Sequence, residues 1–254
     1  MSCRPDWLVA RPIAHRGLHD RAAGRIENSR QAALAAVERG FAVECDVQLS
    51  ADGEAMVFHD FTLDRLTAEK GPVRARKAAE LEKIRLEDST DGVLALPAFL
   101  DLVAGRVPLV VEIKSRFDGD LALTRRVAEI VAGRRARIAI KSFDPDAIAY
   151  LRENGAALGI ADVPFGIVGE SAYSEAEWPN LPADKRTELP NLLHYQRTRP
   201  DFLSWRVDDL PDAAPFLCRA ALGLPVMTWT VRTPAQRANA GRWADQIVFE
   251  GFVP

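Results

Sequence analysis

Glu44 and Asp46 stand in a stretch that combines a strand pattern with a tight turn, Val43 to Asp60, VECDVQLSADGEAMVFHD. In an extended strand alternate side chains share a face, so both carboxylates point one way while Val43, Cys45 and Val47 pack the other way. Acids so placed repel each other unless a proton or a cation lies between them, and a cation is the expected answer. Asp52-Gly53 supplies a hairpin turn, after which Glu54 to Phe58 returns as a short strand and delivers His59 and Asp60. Glu112 and Lys114 close another apolar run, Val107 to Ile113, and His15, Arg16, Lys141, Trp229 and Glu250 fall at or near the ends of others. Carboxylate ligands without a Cys/His pair at zinc spacing favour a hard divalent ion such as Mg²⁺ or Ca²⁺. With Arg16, Lys114 and Lys141 beside it, that ion would hold an anion, and phosphate suits the planar fork of Arg. His15 and His59 add an acid and a base able to deprotonate a nucleophile and protonate a leaving oxygen. The chemistry indicated is phosphodiester cleavage.

These residues need a scaffold that brings many strand ends to one surface. Strands are predicted at Ile13-Ala14, from Val43, at Val107 to Ile113, Arg137 to Ile140 leading to Lys141-Ser142, Ala157 to Ile160, Phe202 to Trp205, Pro225 to Trp229 and Gln246 to Phe249. Helical spacing and stop signals predict helices over Glu27 to Gly40, Leu96 to Ala104, Gly119 to Ala132, Pro145 to Asn154, Asp212 to Leu222 and Pro234 to Ala240. Further helices are expected around Ala78 to Ile84 and Asp184 to Gln196. Repeated β-α order implies a parallel sheet, and eight units close into a TIM (β/α)8 barrel whose carboxyl-end rim is the catalytic face. No GxGxxG fingerprint follows strand one, which argues against a dinucleotide fold. The α/β barrel is expected to span 1–254 as one domain, with a short insertion after strand two and a missing or very short last helix. Trp7 to Val9 is expected to cover the face that this helix leaves bare.

A chain of 254 residues with 48% apolar content can bury a large core. Its formal charge of −3 gives no global field for nucleic acid. The start lacks a secretory signal and no stretch approaches a membrane span, which points to a cytoplasmic enzyme with a small-molecule substrate. Cys3, Cys45 and Cys218 are odd in number and far apart, so they read as reduced, the latter two packed in the core. Arg125, Arg126, Arg134, Arg135 and Arg137 read as a solvated outer face. His19 and His194 read as structural, and Trp229 fits packing as well as substrate contact. Glu27-Asn28 reads mainly as a helix start, with Asn28 able to cap and also to reach the site.

The order of these motifs resembles the glycerophosphodiester phosphodiesterases. In that family a His-Arg-Gly segment, a Glu-Asn pair, a Glu-x-Asp pair, a His-Asp pair and a Glu-x-Lys pair follow one another. Here they stand as His15-Arg16-Gly17, Glu27-Asn28, Glu44-Cys45-Asp46, His59-Asp60 and Glu112-Ile113-Lys114, with Thr62-Leu63-Asp64-Arg65 after the His-Asp pair. The resemblance implies a TIM barrel that hydrolyses glycerophosphodiesters to sn-glycerol 3-phosphate and an alcohol. It puts Glu44, Asp46 and Glu112 on the metal, His15 and His59 in the acid and base roles, and Arg16 on phosphate. Lys114, Asn28, Lys141 and Trp229 are read as further substrate-binding residues. Ser142-Phe143 and Trp229-Thr230 look like later family elements. Strand eight departs from the family, which commonly ends it with Thr-Asp-Arg-Pro where this chain has Phe249-Glu250-Gly251-Phe252; Glu250 is read in place of that Asp. Asp162 to Pro200 aligns with no family motif and is expected to shape the pocket for the alcohol. The same residues could serve a lysophospholipase D-type reaction at a membrane surface, or a non-catalytic barrel that binds phosphorylated ligands. The soluble diester is favoured because no amphipathic membrane helix is evident, and no catalytic group is missing from the five motifs.

Overall fold

The computed structural model describes residues 5–103, 105–179 and 181–254. Cys3 and Ala104, the expected end of one helix, lie outside them. In chain order, β1 (Ile13–Ala14) leads through α1 (Arg30–Glu38) to β2 (Ala42–Leu49), and β3 (Ala55–Val57), α2 (Ala78–Leu81) and β4 (Leu94–Ala95) follow as an insertion. Next come α3 (Leu96–Val103), β5 (Leu109–Ile113), α4 (Ala122–Val131), β6 (Ile138–Ser142), α5 (Pro145–Asn154) and β7 (Phe165–Gly169). Then α6 (Lys185–Glu188), α7 (Tyr195–Thr198), β8 (Phe202–Arg206), α8 (Ala213–Leu222), β9 (Val226–Val231), α9 (Pro234–Trp243) and β10 (Gln246–Phe249) complete the order. β1 pairs in parallel with both β2 and β10, and β2 continues in parallel through β5 to β10, so the sheet closes into the expected eight-stranded TIM barrel. The insertion expected to be short fills residues 50–95 and carries its own apolar cluster around Met56, Phe58, Leu63 and Leu81. After β10, residues 250–254 form no helix, as expected.

The barrel interior is built in layers that follow from strand periodicity. Ile13, Ala42, Val110, Ala139, Phe202, Met227 and Val248 form a dry lower layer with Leu8 packed among them. Two residues further along the same strands, on the same face, come His15, Glu44, Glu112, Lys141, Ser204, Trp229 and Glu250. Apolar contacts thus fix the strands directly beneath the polar layer, while the opposite faces, including Val43, Cys45 and Val47, pack outward against the helices.

Several expectations are corrected. Trp7 to Val9 does not cover the outside of strand eight, because Leu8 plugs the lower mouth of the barrel instead. The outer face of β10 is covered by aromatic contacts of Phe249 with Phe41 at 5.1 Å and with Phe252 at 5.6 Å. Ala157 to Ile160 forms turns, and the fifth barrel strand lies at Phe165–Gly169. Its glycines lower the strand signal, but they are required by their neighbours. A Cβ on Gly166 would stand 2.2 Å from Cε2 of Phe202, and one on Gly169 2.4 Å from Cζ3 of Trp205. Gly166→Ala is therefore expected to destabilise the fold by about 1–3 kcal/mol through overpacking. Thermal melts would show a fall of several degrees; an unchanged melting temperature would mean that the Phe202 ring moves aside freely. The helix expected over Asp184 to Gln196 is two short helices, α6 and α7, separated at Pro190, whose ring cannot donate to a continuing helix. The cap of α1 is Ser29, whose side chain accepts from the Ala32 amide, so Asn28 is not a cap and Glu27 is not a helix residue.

Cys45 and Cys218 are free and buried. Arg126 pairs with Glu54 and Glu129, and Arg134 with Asp101, on the outer surface. No helix among the described residues is long and apolar enough to cross a membrane.

Candidate active site

Strand register assembles the site. Ala14 lies beside Val43, so His15 follows close to Glu44; Asp46 is the partner of Glu112, and Glu112 of Lys141. On the other side Ala14 pairs with Phe249, which brings His15 next to Glu250. Residues far apart in sequence thus meet because each stands on or directly after a parallel strand, one step beyond the apolar layer.

Glu44, Asp46 and Glu112 are buried, and one carboxylate oxygen from each lies within 4.8 Å of the other two. Lys141, 1% exposed, places its amine 3.1 Å from Glu44 Oε1 and 3.0 Å from Glu112 Oε2. Lys114 Nζ is 2.9 Å from Asp46 Oδ1 and also binds Glu112. Arg16 Nε stands 3.2 Å from Asp46 Oδ2, off hydrogen-bond geometry, and the Arg16 amide donates to Glu44 at 3.0 Å. Burial alone would push the Glu112 and Asp46 carboxyls up, but Lys114 and Lys141 hold Glu112 down at about 2, and Lys114 and Arg16 hold Asp46 well below the usual range. Burial likewise works against both ammonium groups; Glu44 and Glu112 raise Lys141, and Asp46 and Glu112 raise Lys114.

This donor set fits a hard divalent cation. Glu44 Oε1 and Asp46 Oδ1 are buried oxygens that face the Lys141 and Lys114 ammonium groups out of hydrogen-bond geometry, and carboxylates around such an ion bring their oxygens to about 2.0–2.6 Å from it, compatible with the observed spread. The cluster has three carboxylates facing Lys114, Lys141 and Arg16. A bound divalent ion would leave a positive excess, which an anionic phosphodiester would balance.

The histidines stand on separate elements, each tied to an acid. His15 Nδ1 is 2.5 Å from Glu250 Oε2, and His59 Nδ1 is 2.6 Å from Asp60 Oδ1. Arg65 Nε lies 2.6 Å from Asp60 Oδ2 and Nη2 2.8 Å from Glu27 Oε1, and Glu27 in turn meets Arg16 Nη1 at 2.6 Å. Burial opposes ionisation of Glu27, yet Arg65 and Arg16 hold it at about 2. Glu27, expected to start a helix, is thus a hinge between two arginines. Asn28 donates to Asp46 Oδ2 at 2.9 Å and accepts from the Asp46 amide at 3.2 Å. Both Arg16 and Asn28 have left-handed backbones, φ 56° and 59°, and the Asn28 amide donates to the Arg16 carbonyl at 2.9 Å. Such backbones cost roughly 1–3 kcal/mol and persist where surrounding contacts over-determine them.

The rim is divided by chemistry. The charged residues stand on β1, β2, β5, β6 and β10 with the insertion. The loops after β5, β6 and β7 bring Phe117, Phe143, Tyr173 and Trp178 together, and Trp229 on β9 joins them through Phe143 at 5.5 Å. Behind these rings Glu170 accepts from the Trp178 indole at 2.5 Å and pairs with Arg206 at 3.1 Å. Trp229 itself donates to the Ser204 carbonyl at 2.9 Å. Lys141 and Asn28, read from sequence as substrate contacts, lie beneath the mouth and hold carboxylates there. Sequence reasoning did not anticipate Arg232, which pairs with Glu250, or the Arg65–Glu27 link; only the Thr62-Leu63-Asp64-Arg65 motif gave a sign of the latter. His19, read as structural, places Nε2 3.5 Å from Glu250 Oε2. His194 keeps its structural reading: it is buried, contacts Thr198 at 3.2 Å, and burial lowers it to about 4.

The chain is 29% identical over 245 residues to the "Probable glycerophosphodiester phosphodiesterase 1" of Mycobacterium tuberculosis, covering 84% of this chain and 88% of that one. An Oleispira antarctica phosphodiesterase, solved in complex with the product sn-glycerol-3-phosphate, aligns with TM-score 0.74 at 19% identity over 93% of this chain and 91% of that one. The glycerophosphodiester phosphodiesterase of Thermotoga maritima aligns with TM-score 0.67 at 24% identity over 93% and 92%. These structures share the barrel fold. The Glycerophosphoryl diester phosphodiesterase family matches residues 15–252, and on that span the chain belongs to this family and is a phosphoric diester hydrolase.

Proposed function

We propose that the protein hydrolyses glycerophosphodiesters to sn-glycerol 3-phosphate and an alcohol, with a divalent cation, Mg²⁺ or Ca²⁺, held by Glu44, Asp46 and Glu112. The observation that carries this reading is the buried triad whose carboxylate oxygens converge within 4.8 Å, set between cations and flanked by carboxylate-bound histidines. The cation, when bound, withdraws charge from the phosphoryl oxygens and so favours attack on phosphorus. Arg16 and Lys114 add charge-assisted hydrogen bonds to the same group. His15 and His59 each engage an acid through Nδ1, which leaves Nε2 of each for the substrate. One removes a proton from the nucleophile and the other protonates the departing alkoxide; the nucleophile is water, or else the glycerol hydroxyl next to the phosphorylated carbon, which gives a cyclic phosphate that water then opens to sn-glycerol 3-phosphate. Lys141 holds Glu44 and Glu112 in place, Asn28 holds Asp46 by its hydrogen bond, and Trp229 offers a half-buried ring to the organic part of the substrate. Cys45 and Cys218, free and buried, accord with a cytoplasmic setting.

The test is release of glycerol 3-phosphate from water-soluble glycerophosphodiesters with and without a chelator, next to acylated lysophospholipids. Chelator-sensitive release from the soluble diesters is expected. Turnover of the acylated diesters alone would transfer the reading to a lysophospholipase D-type reaction, and no turnover of either, with metal present, would leave a binding barrel.

Arg16 offers a narrower check. Arg16→Lys keeps the charge but loses the fork that spans Glu27 and Asp46, so kcat/KM is expected to fall roughly tenfold to a hundredfold. Steady-state kinetics equal to wild type would reassign Arg16 to a structural ion pair.

A further inference from the structure

We infer that Glu250, clamped by Arg232, is a positioning residue that fixes the His15 imidazole so that Nε2 meets the substrate. The inference rests on the reading of His15 as a proton-transfer group.

Three strands converge on this contact. The His15 amide donates to the Phe249 carbonyl at 2.9 Å and the Glu250 amide to the Val231 carbonyl at 3.1 Å, so both backbones are tied across neighbouring strands. The Glu250 side chain then divides its oxygens, Oε2 at 2.5 Å from His15 Nδ1 and Oε1 at 2.5 Å from Arg232 Nε. Arg232 directly follows β9, so the carboxylate cannot swing without breaking a contact on one side or the other. Burial would raise Glu250, but His15, His19 and Arg232 hold it far below the usual carboxylate range. It is therefore an ionised acceptor throughout the neutral range, and an acceptor-only group facing Nδ1 requires the hydrogen on that nitrogen. Nε2 is then the lone-pair nitrogen of the neutral ring, or the proton donor of the charged one, and in either state it remains the end that reaches substrate.

The second imidazole is set in the same way from different parts. His59 meets Asp60, and Arg65 holds the other Asp60 oxygen. A histidine, an acid and an arginine thus occur twice, once at the β9–β10–β1 junction and once in the insertion. A barrel-closing ion pair would account for Glu250 and Arg232, but it would not require an imidazole nitrogen as the third member.

Glu250→Gln preserves shape and removes the charge. Its kcat on a glycerophosphodiester is expected to fall roughly a hundredfold, short of the larger loss seen when a triad acid is neutralised, with KM changed little. Placed in a His15→Ala background, the same change should lower kcat no further, because Glu250 acts through His15. Arg232→Gln, which leaves the histidine contact in place, should give a smaller kcat loss. Proton NMR of the wild-type protein adds a readout independent of turnover: a far-downfield Nδ1–H resonance that both His15→Ala and Glu250→Gln remove and His59→Ala keeps. Glu250→Gln at wild-type kcat, an equal loss in both backgrounds, unchanged kcat in Arg232→Gln, or absence of that resonance would overturn the inference. If His15→Ala itself stayed fully active while the resonance behaved as described, the pairing would stand and the catalytic role of His15 would fail instead.

Discussion

Alanine in place of His15 or of His59 is expected to lower turnover of a glycerophosphodiester by roughly a hundredfold to ten-thousandfold, the usual value of a positioned acid or base. Both imidazoles stand at the mouth, one at the end of β1 and one after β3, and each is tied through Nδ1 to its own carboxylate. Because the two groups act in a single displacement, removing both should cost far less than the product of the single losses. A diester with a good leaving group separates their roles. Its alkoxide or phenoxide departs with little protonation, so the general acid becomes dispensable with that substrate while the base does not. One single variant should therefore recover on the activated diester and the other should not. Small, equal losses for both variants on the ordinary substrate would show that these imidazoles are not the proton-transfer pair.

Chelation is expected to abolish turnover while leaving the protein folded. A triad without cations nearby would push its own protons back on and lose charge, but here Lys114, Lys141 and Arg16 already face the carboxylates. Circular dichroism should therefore change little in EDTA, and activity should return when Mg²⁺ or Ca²⁺ is restored. Glu44→Gln removes one ligand oxygen's charge and one partner of the buried Lys141, which keeps Glu112 at 3.0 Å. Metal affinity measured by calorimetry should fall, together with a modest loss of stability. Full activity in EDTA, after elemental analysis had shown the ion to be gone, would sink the metal reading.

The charged half of the site was legible because its residues come in short local motifs with fixed strand periodicity. Glu44 and Asp46 share a face by alternation alone, and Glu112 and Lys114 do so again one strand over. What alternation does not show is which strand ends become neighbours, so the ion pairs of Lys141 and the clamp on Glu250 emerged only from the closed barrel's register. Asn28 reads as cap and site residue alike from sequence; the cap belongs to Ser29, and Asn28 donates to Asp46 instead. The fifth strand was missed for a reason that propensity cannot supply: Gly166 and Gly169 look like strand breakers until the rings of Phe202 and Trp205 are placed against them. The helix expected over Asp184 to Gln196 failed at Pro190, a local signal that the longer periodicity masked.

The divided rim also sets unequal terms for variation under selection. In the charged half, a substitution that strips one member of the buried network weakens every contact that shares it, as Lys141 shares Glu44 with Glu112, and the cost climbs toward about 3–5 kcal/mol once a charge loses all its partners, a large share of a typical domain's stability. In the half made by Phe117, Phe143, Tyr173, Trp178 and Trp229, conservative exchanges alter packing and commonly cost under about 1.5 kcal/mol when volume is kept. Mutational drift is therefore expected to collect in the aromatic loops, while the charged half keeps its residues.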